Sequence, residues 1–392
     1  MSGKLPSDSQ SATLAVRSGL DTDTQHGAVV APMYLSSTYT FAGFGQRRAY
    51  DYSRSANPTR DALAEALTVL EKGAGAVITS SGMAAVNLLC QLLKPEDLLV
   101  APHDCYGGTY RLFDSLHQRG VLQTLFIDFR DAQAVAAALQ RKPKLVWVET
   151  PSNPLLRITD IRSMAQQAHA VGALLAVDNT FMSPAWQQPI TLGADVVVHS
   201  TTKYLNGHSD IVGGAVIAAT TELHEQLAWW ANCTGVTGAP FDSYMTLRGI
   251  RSLHARMAVH GENAQRVAEL LQAHRAVKTV HFPGLKTHPQ HALAIEQQRT
   301  FGAMVSFELH GGTTQVKAFL DGLTMFSLAE SLGGVESLIA HPATMTHAAM
   351  SVDARLAAGI SDGLLRLSVG IEAWEDLSCD LQAALERAAS VY

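Results

Sequence analysis

A lysine stands directly behind a run of apolar residues in the segment ADVVVHSTTKYLNGHSD, residues 194–210. Three consecutive valines are typical of a buried strand, and the chain then continues into hydroxyl side chains and Lys203. A surface lysine seldom follows an apolar run so directly. A lysine amine in a desolvated pocket can act as a nucleophile or as a general base. The position of Lys203 therefore predicts a functional site beyond the end of this strand.

A carboxylate ends another apolar run, 25 residues before the lysine. Asp178 closes the run LLAVD, where burying an unpaired carboxylate would cost free energy. Taken alone, Asp178 fits a helix cap as well as a binding site. Its place one strand before Lys203 favours a shared site with a cation near the carboxylate.

Three further apolar runs end in residues that suit a ligand. AVITS ends at Ser80 and is followed by Ser81, Gly82 and Met83, where a helical pattern begins. A helix N-terminus favours an anion such as phosphate. Simple helix capping explains the same residues. LLVAPH leads to Tyr106, which could stack on a flat ring or be an ordinary loop tyrosine. KLVWVET leads to PSNP, which holds Asn153 between two prolines.

Pyridoxal phosphate matches these strand ends taken together. Ligands of open parallel sheets bind beyond the carboxyl ends of the strands, so the predicted features should meet at one edge. This cofactor has a dianionic phosphate, a flat pyridine ring, a ring nitrogen that stays protonated, and an aldehyde that condenses with a lysine amine. We predict Asp178 at the ring nitrogen, Lys203 at the aldehyde, and the hydroxyls before Lys203 at the phosphate.

The elements that must position these residues alternate between strand and helix patterns. The predicted strands are AVITS, LLVAPH, TLFID, KLVWVET, LLAVDNT, DVVVHS and GGAVIAAT. Runs that are apolar throughout suit a sheet covered on both faces. Amphipathic stretches lie between most of them, which predicts an α/β fold with a large, mostly parallel sheet.

The ends of the chain differ from this central pattern. Residues 1–57 show no strong helical period and are predicted to form an extended arm. Asn57 and Pro58 can start a helix, with Leu63, Leu67 and Leu70 on one face. A single long helix is predicted from about 247 to 274, followed by a smaller α/β domain with an antiparallel sheet. The predicted divisions are an arm (1–57), a large cofactor-binding domain (58–248) and a small C-terminal domain (249–392).

Composition excludes several classes of protein. The chain has 392 residues, 47% of them apolar and 16% charged, with a formal charge of −6, which argues against nucleic acid or an anionic membrane as the main partner. No apolar run approaches the length of a membrane helix. The polar first residues and four scattered cysteines predict a cytoplasmic protein with reduced thiols. HPQH, at 288–291, offers two metal ligands without a third, so no metal site is expected.

Several motifs carry a resemblance to a known family. They are YSRSANPTR, SSGMAA, YGGTYRLF, ETPSNP, VDNTF, HSTTKYLNGHSD and SLGGVESLI. In this order, from about residue 12 to the C-terminus, they resemble the Cys/Met-metabolism family of pyridoxal-phosphate enzymes. The resemblance implies the aspartate-aminotransferase-like fold, fold type I of the PLP-dependent transferases.

The resemblance implies roles for the residues around the cofactor. Lys203 is then the lysine that condenses with the aldehyde and the general acid/base, Asp178 pairs with the pyridinium, and Tyr106 stacks on the ring. The phosphate ligands are implied to be Gly82, Met83, Ser200 and Thr202, with Tyr52 and Arg54 from a neighbouring subunit. The implied assembly is a homotetramer built from two dimers, with active sites shared across each dimer.

The resemblance also implies how a substrate is held. Arg366 binds the substrate α-carboxylate, with Asn153 and Ser331 nearby, and Arg111 meets a distal acyl carboxylate. Asp51 and Glu330 recognise a distant amino group, which favours chemistry at the γ-carbon.

Two reactions at the γ-carbon remain open. The first is γ-replacement, which joins O-succinyl-L-homoserine or O-acetyl-L-homoserine to L-cysteine and gives L-cystathionine. The second is γ-elimination of cystathionine, because Ser55 stands where similar γ-replacement enzymes carry a second arginine. A non-catalytic binding protein is disfavoured, since Lys203, Asp178 and Arg366 are all present.

Overall fold

The seven apolar runs form one sheet. The computed structural model describes residues 9–348 and 352–391. The large sheet contains β1 (Gly75–Thr79), β2 (Leu98–Pro102), β3 (Gln123–Ile127), β4 (Leu145–Glu149), β5 (Leu174–Asp178), β6 (Val196–Ser200) and β7 (Gly214–Ala218). Their order is β1-β7-β6-β5-β4-β2-β3, and only β7, within the described sheet, runs against its neighbours. The prediction of a mostly parallel sheet is confirmed.

Helices cover both faces of this sheet, which explains why its strands are apolar throughout. The helices of this region are α2 (Pro58–Glu71), α3 (Gly82–Cys90), α4 (Gly107–Gln118), α5 (Ala132–Gln140), α6 (Ile161–Ala170), α7 (Ser183–Trp186), α8 (Thr221–Thr234) and α9 (Pro240–Ile250). A short 3-10 turn spans Pro189–Leu192. Along β6, Val197 faces the core cluster that includes Leu67 of α2, whereas Val196 and Val198 face the cluster that includes α3 and α4.

The start of α2 follows from its capping residue. The Oδ1 of Asn57 accepts hydrogen bonds from the backbone N–H groups of Thr59 (2.9 Å) and Arg60 (3.2 Å). Pro58 occupies the first helical position, where its missing N–H costs nothing. Leu67 of α2 is completely buried. The helix predicted after residue 57 is confirmed.

The N-terminal arm contains one helix that the sequence did not reveal. This helix, α1 (Ser11–Arg17), buries Ala15 to 1% exposure against the main core. Two turns are too short to show a clear period, which is why it was missed. Beyond it, the stretch up to α2 is largely exposed and has only isolated bridges, and Phe44 is fully exposed.

A second sheet lies in the C-terminal part. It contains β8 (Val277–His281), β9 (Met304–Leu309), β10 (Ser327–Leu328), β11 (Leu338–Ala340) and β12 (Leu364–Ser368), in the order β10-β11-β12-β9-β8. The pairings are antiparallel, as expected, except for the parallel edge pair β10–β11. Its helices are α10 (Leu253–Ala273), α11 (His291–Gln297), α12 (Thr313–Leu320), α13 (Val352–Ala358) and α14 (Trp374–Ala389).

The prediction of one long helix from about 247 to 274 was wrong. Two helices, α9 and α10, meet there, and the break falls at residues 251–252. The carbonyl oxygen of Gly249, near the end of α9, accepts from the backbone N–H (3.1 Å) and the Oγ (3.2 Å) of Ser252 and from the guanidinium of Arg256 (2.8 Å). The predicted domain limits at 57 and 248 stay a prediction. In the described part of the chain, no helix is both long and apolar enough to cross a membrane.

Candidate active site

A cavity of about 560 Å³ lies beyond the carboxyl ends of β4, β5 and β6. Residues from the C-terminal part of the chain close it from the other side. The predicted site residues that line it are Gly82, Met83, Tyr106, Arg111, Asn153, Asp178, Ser200, Thr202, Lys203, Glu330, Ser331 and Arg366. The sheet therefore brings the predicted strand ends together at one edge.

Lys203 stands just after β6 with its amine held in place. Its Nζ donates a hydrogen bond to the Oγ of Ser331 (2.8 Å). Burial lowers the pKa of Lys203 from 10.5 to about 8, and the positive charge of Arg366 acts in the same direction. An amine with this pKa exchanges protons near neutral pH, as a general acid/base requires.

The N-terminus of α3 lies against the end of β6. The Oγ of Ser81 caps the helix by accepting from the N–H of Ala84 (3.1 Å). A Cβ at Gly82 would lie 2.8 Å from the Cβ of Ser200, so only glycine allows this approach. Hydroxyl groups and helix N–H groups thus meet in one place, an arrangement that suits a phosphate.

The ring of Tyr106 lies over the first turn of α4. A Cβ at Gly108 would lie 2.5 Å from the Cε1 of Tyr106 and 3.0 Å from the Sδ of Met83. Glycine at this position is therefore needed for the ring to fold back on its own helix. Tyr106 lines the cavity and is 43% exposed, so the ring has an accessible surface.

Two carboxylates stand side by side at the ends of neighbouring strands. Glu149 of β4 and Asp178 of β5 are register partners. Asp178 accepts a hydrogen bond from the N–H of Thr180 (2.9 Å), and no described Lys, Arg or His forms an ion pair with it. Burial raises the pKa of Asp178, and a cation placed beside the carboxylate would lower it.

Glu149 joins the two loops that flank these strands. Its Oε2 accepts from the backbone N–H of Tyr106 (2.8 Å), and its Oε1 accepts from the backbone N–H of Asn153 (3.0 Å). Burial, reinforced by the charge of Asp178, raises the pKa of Glu149 well above its usual range.

Arg366 of β12 is buried at the side of the cavity. One Nη donates to the Oδ1 of Asn153 (2.8 Å) and the other to the carbonyl oxygen of Ser331 (3.0 Å). Its buried Nε has no partner among the described residues. Burial lowers the pKa of Arg366 to about 10. The guanidinium is thus fixed in place and suits a carboxylate ligand. Arg111 and Glu330 line the cavity and are exposed.

Three predicted site residues lie outside the cavity of their own chain. Asp51 forms an ion pair with Arg47 (3.0 Å). Arg54 donates to the backbone oxygen (2.7 Å) and the Oδ1 (2.8 Å) of Asn232. Tyr52 is 49% exposed. Their contribution to a neighbouring subunit's site stays a prediction.

Comparison with known proteins decides the family. A model of the family described as "Cys/Met metabolism PLP-dependent enzyme" matches residues 12–386. The chain belongs to this family. It is 59% identical over 372 residues to cystathionine gamma-synthase of Escherichia coli K12, which covers 95% of this chain and 96% of that protein. It is 47% identical over 374 residues to cystathionine gamma-lyase of Bacillus subtilis 168, with 95% and 98% covered.

A solved structure is also similar over the whole length. Cystathionine gamma synthase from Xanthomonas oryzae pv. oryzae, in complex with cystathionine, superposes with a TM-score of 0.97. The two chains are 61% identical, and the match covers 99% of this chain and 100% of the other. The predicted fold class and family are confirmed.

Pyridoxal phosphate is the cofactor, as predicted. The residues present fit it. The buried carboxylate of Asp178 lacks a cation, and a protonated ring nitrogen would supply one. The amine of Lys203 can condense with the aldehyde, and the narrow junction of Gly82 with Ser200 can receive the phosphate.

Two residues of the cavity were missed by sequence reasoning. Glu149 follows the apolar run LVWV just as Asp178 follows LLAV, so the same signal could have found it. His347 is buried, and its Nδ1 lies 2.9 Å from the Oγ1 of Thr346. Burial and the charge of Arg366 lower the pKa of His347 to about 4, which keeps it neutral. No local pattern marks His347.

Both histidines of HPQH have a backbone partner. His288 is buried, 8% exposed, and its Nδ1 accepts from the N–H of Gln290 (3.2 Å). The Nδ1 of His291 lies 2.7 Å from the carbonyl oxygen of Pro283. Across residues 9–348 and 352–391, no group of three or more His, Cys, Asp or Glu side chains is placed to hold a metal ion.

Proposed function

We propose that the chain catalyses γ-replacement, joining O-succinyl-L-homoserine or O-acetyl-L-homoserine to L-cysteine to give L-cystathionine. Its substrates are small amino acids. The observation that carries the proposal is the 61% identity, over the whole chain, to a cystathionine gamma synthase whose structure contains cystathionine. The reaction forms the carbon–sulfur bond of methionine biosynthesis by transsulfuration.

The charges around the cavity suit this chemistry. Cystathionine carries two carboxylates and two ammonium groups. Arg366, with Asn153 and Ser331 as its partners, receives the α-carboxylate of the substrate. Arg111 receives the distal carboxylate of the succinyl group of O-succinyl-L-homoserine. Glu330, together with Asp51 of a neighbouring subunit, receives the distant ammonium group of cystathionine.

Lys203 moves the protons of the reaction. When bound, pyridoxal phosphate would supply an aldehyde that can hold the substrate amine and a ring that can take up the electron pair of the Cα–H bond. Lys203, with its pKa of about 8, takes the proton from Cα and later returns one. A second proton leaves Cβ, and the acyl group then departs from Cγ as a carboxylate. The thiol of cysteine forms the new bond at Cγ and gives up its proton, and a proton returns to Cβ. Asp178 holds the ring nitrogen in its protonated form.

We also propose that two subunits share each active site. Tyr52 and Arg54 lie outside the cavity of their own chain, as residues that serve a neighbour would. The arm that carries them exposes large apolar side chains, among them Leu35 (68%) and Phe41 (51%), which favours a covered surface. Two such dimers form the proposed homotetramer.

A cytoplasmic location is consistent with the four cysteines, none of which forms a disulfide. The four cysteines are free, and Cys90 and Cys105 are buried. A reducing compartment keeps such thiols from pairing.

γ-Elimination of cystathionine is the second candidate. Ser55 favours it, since similar γ-replacement enzymes carry an arginine there. In this chain the Oγ of Ser55 lies 3.5 Å from the Oδ1 of Asn232, beside Arg54. The 47% identity to a gamma-lyase supports the same candidate.

A side-by-side product assay tests both candidates. Purified enzyme receives O-succinyl-L-homoserine with cysteine, the acetyl ester with cysteine, or cystathionine alone. Faster cystathionine formation from an ester supports the proposal and identifies the acyl donor. Faster release of cysteine and α-ketobutyrate from cystathionine overturns it in favour of the lyase.

Mixed dimers test the shared site. Arg54→Ala and Lys203→Ala are each expected to inactivate the enzyme. A mixture of the two recovers part of the activity if Arg54 crosses to the neighbour, because one of its two sites is then intact. No recovery, with exchange of subunits verified by native mass spectrometry, would place Arg54 in its own subunit's site.

A further inference from the structure

We infer that Glu149 is a positioning residue that fixes the cofactor-stacking Tyr106 and the substrate-binding Asn153 relative to each other. The inference rests on the proposed function for the roles of those two residues. Glu149 itself is assigned neither to cofactor stacking nor to substrate binding. Its carboxyl group contacts the backbone N–H groups of Tyr106 and Asn153 rather than their side chains.

The position of Glu149 suits this role. It is the last residue of β4, in the middle of the large sheet and between β5 and β2. Tyr106 begins α4 after β2, and Asn153 lies in the turn after β4. The carboxylate of Glu149 receives one N–H from each of these segments, at 2.8 and 3.0 Å. A residue at the rigid end of a strand therefore sets the distance between two loops.

The effect extends from Asn153 to the reacting end of the site. The Oδ1 of Asn153 accepts from Arg366 (2.8 Å), and Arg366 donates to the carbonyl oxygen of Ser331 (3.0 Å). The Oγ of Ser331 in turn accepts from the Nζ of Lys203 (2.8 Å). A shift of the Asn153 backbone would displace the guanidinium that binds the substrate carboxylate.

The chemistry of the contact requires a carboxyl group. Two N–H donors converge on one side chain, and both oxygens of Glu149 accept. A glutamine in its place has one oxygen, and its NH₂ group cannot accept the second N–H. Glu149 also lies beside Asp178, where a second carboxylate is unfavourable for stability. A glutamate that costs stability here is consistent with a functional role.

The first experiment compares Glu149→Gln with Ser152→Ala. Ser152 lies in the same turn, and its Oγ donates to Asp104 (3.3 Å) rather than to the site. Each cofactor-free protein is titrated with pyridoxal phosphate, followed by visible circular dichroism of the bound cofactor. Each loaded protein is then titrated with L-alanine, which has the α-carboxylate but no leaving group.

Glu149→Gln is expected to weaken both steps, because one of the two hydrogen bonds to the carboxyl group is lost. The Kd for pyridoxal phosphate and the half-saturating alanine concentration should each rise on the order of tenfold. The visible circular dichroism band should shrink as the ring of Tyr106 shifts. Ser152→Ala should change none of these. A change in only one of the two affinities, or equal changes in Ser152→Ala, would overturn the inference.

A double-mutant cycle tests the route through Asn153. Asn153→Ala is expected to weaken alanine binding without changing the affinity for pyridoxal phosphate. Adding Glu149→Gln to Asn153→Ala should weaken cofactor binding as much as Glu149→Gln alone does, but cause no further loss of alanine binding. A further, additive loss of alanine binding would contradict this route. If Glu149→Gln fails to fold, Glu149→Asp, which keeps the carboxyl group but shortens its reach, has the same expected directions.

The readouts separate this inference from the proposed function. Neither titration uses a γ-substituted substrate or measures cystathionine. A wild-type enzyme that made no cystathionine from either ester would overturn the proposed function. The affinities of wild type and Glu149→Gln for pyridoxal phosphate and L-alanine could still be compared. Normal cystathionine synthesis with unchanged affinities in Glu149→Gln would overturn the inference alone.

Discussion

The amine of Lys203 is expected to titrate about 2.5 pH units below an ordinary lysine, from 10.5 to about 8. At pH 7.5 an amine with a pKa of about 8 is roughly one quarter neutral, against roughly one in a thousand at 10.5. The reactive fraction thus increases by a factor of about two hundred. Burial is the largest cause, and the positive charge of Arg366 is the second.

Trace acetylation of the cofactor-free enzyme measures this pKa directly. Acetic anhydride reacts only with neutral amines, and mass spectrometry quantifies the peptide that contains Lys203 at each pH, with a small amine as internal standard. In Arg366→Gln the midpoint should move upward, because a nearby positive charge is removed. It should stay below 10.5, because burial remains. Arg111→Gln, which removes a positive charge from another part of the same cavity, should leave the midpoint unchanged.

Two results would refute this reasoning. A wild-type midpoint near 10.5 would show that the cavity does not desolvate the amine. A downward shift in Arg366→Gln would show that the guanidinium does not act on Lys203 through its charge.

Three further expectations concern the cofactor cradle, the ring carboxylate and the core. Gly82→Ala should raise the Kd for pyridoxal phosphate at least about tenfold, since its Cβ would lie 2.8 Å from the Cβ of Ser200. Gly312→Ala, where a Cβ meets nothing within 4 Å, is the control in the same cofactor titration. Asp178→Asn should lower kcat by on the order of a hundredfold or more, because a neutral amide cannot stabilise the ring cation. Steady-state assays at saturating cofactor test this, and an unchanged kcat would remove Asp178 from its role. Leu67→Ala should lower the free energy of unfolding by about 2–5 kcal/mol, because the side chain is fully buried. The control is Val69→Ala, because Val69 of the same helix is 40% exposed. The free energies of unfolding of the two variants, measured in urea, should differ by most of that amount.

The large sheet and its cofactor residues could be predicted from local patterns. A run that is apolar throughout requires burial on both faces, and the residue after such a run must lie at the sheet edge. Asp178 and Lys203 were predicted as site residues by this rule, and pyridoxal phosphate followed from their combination. The cap at Asn57 is equally local, because it involves the next three residues only.

Local patterns were insufficient where an element is short or where a helical pattern continues through a break. The helix α1 has too few turns to show a period, and its stability comes from packing Ala15 against the core. The break between α9 and α10 was missed for the opposite reason, since both halves have a helical pattern. At the break, the carbonyl oxygen of Gly249 accepts from Ser252 and from Arg256, and the spacing of apolar residues does not signal these bonds.

The substrate side of the site was the hardest to derive. Arg366 was placed there by family resemblance, since no pattern around it indicates a ligand. Only the tertiary structure shows that Asn153 and Ser331 hold its guanidinium, and that Glu149 holds the backbone of Asn153. The sequence by itself determined which residues follow each strand, because an apolar run and the polar residues after it are neighbours in the chain. Tertiary packing decided which distant loops meet there, because contacts between the two sheets depend on register and packing across the whole chain.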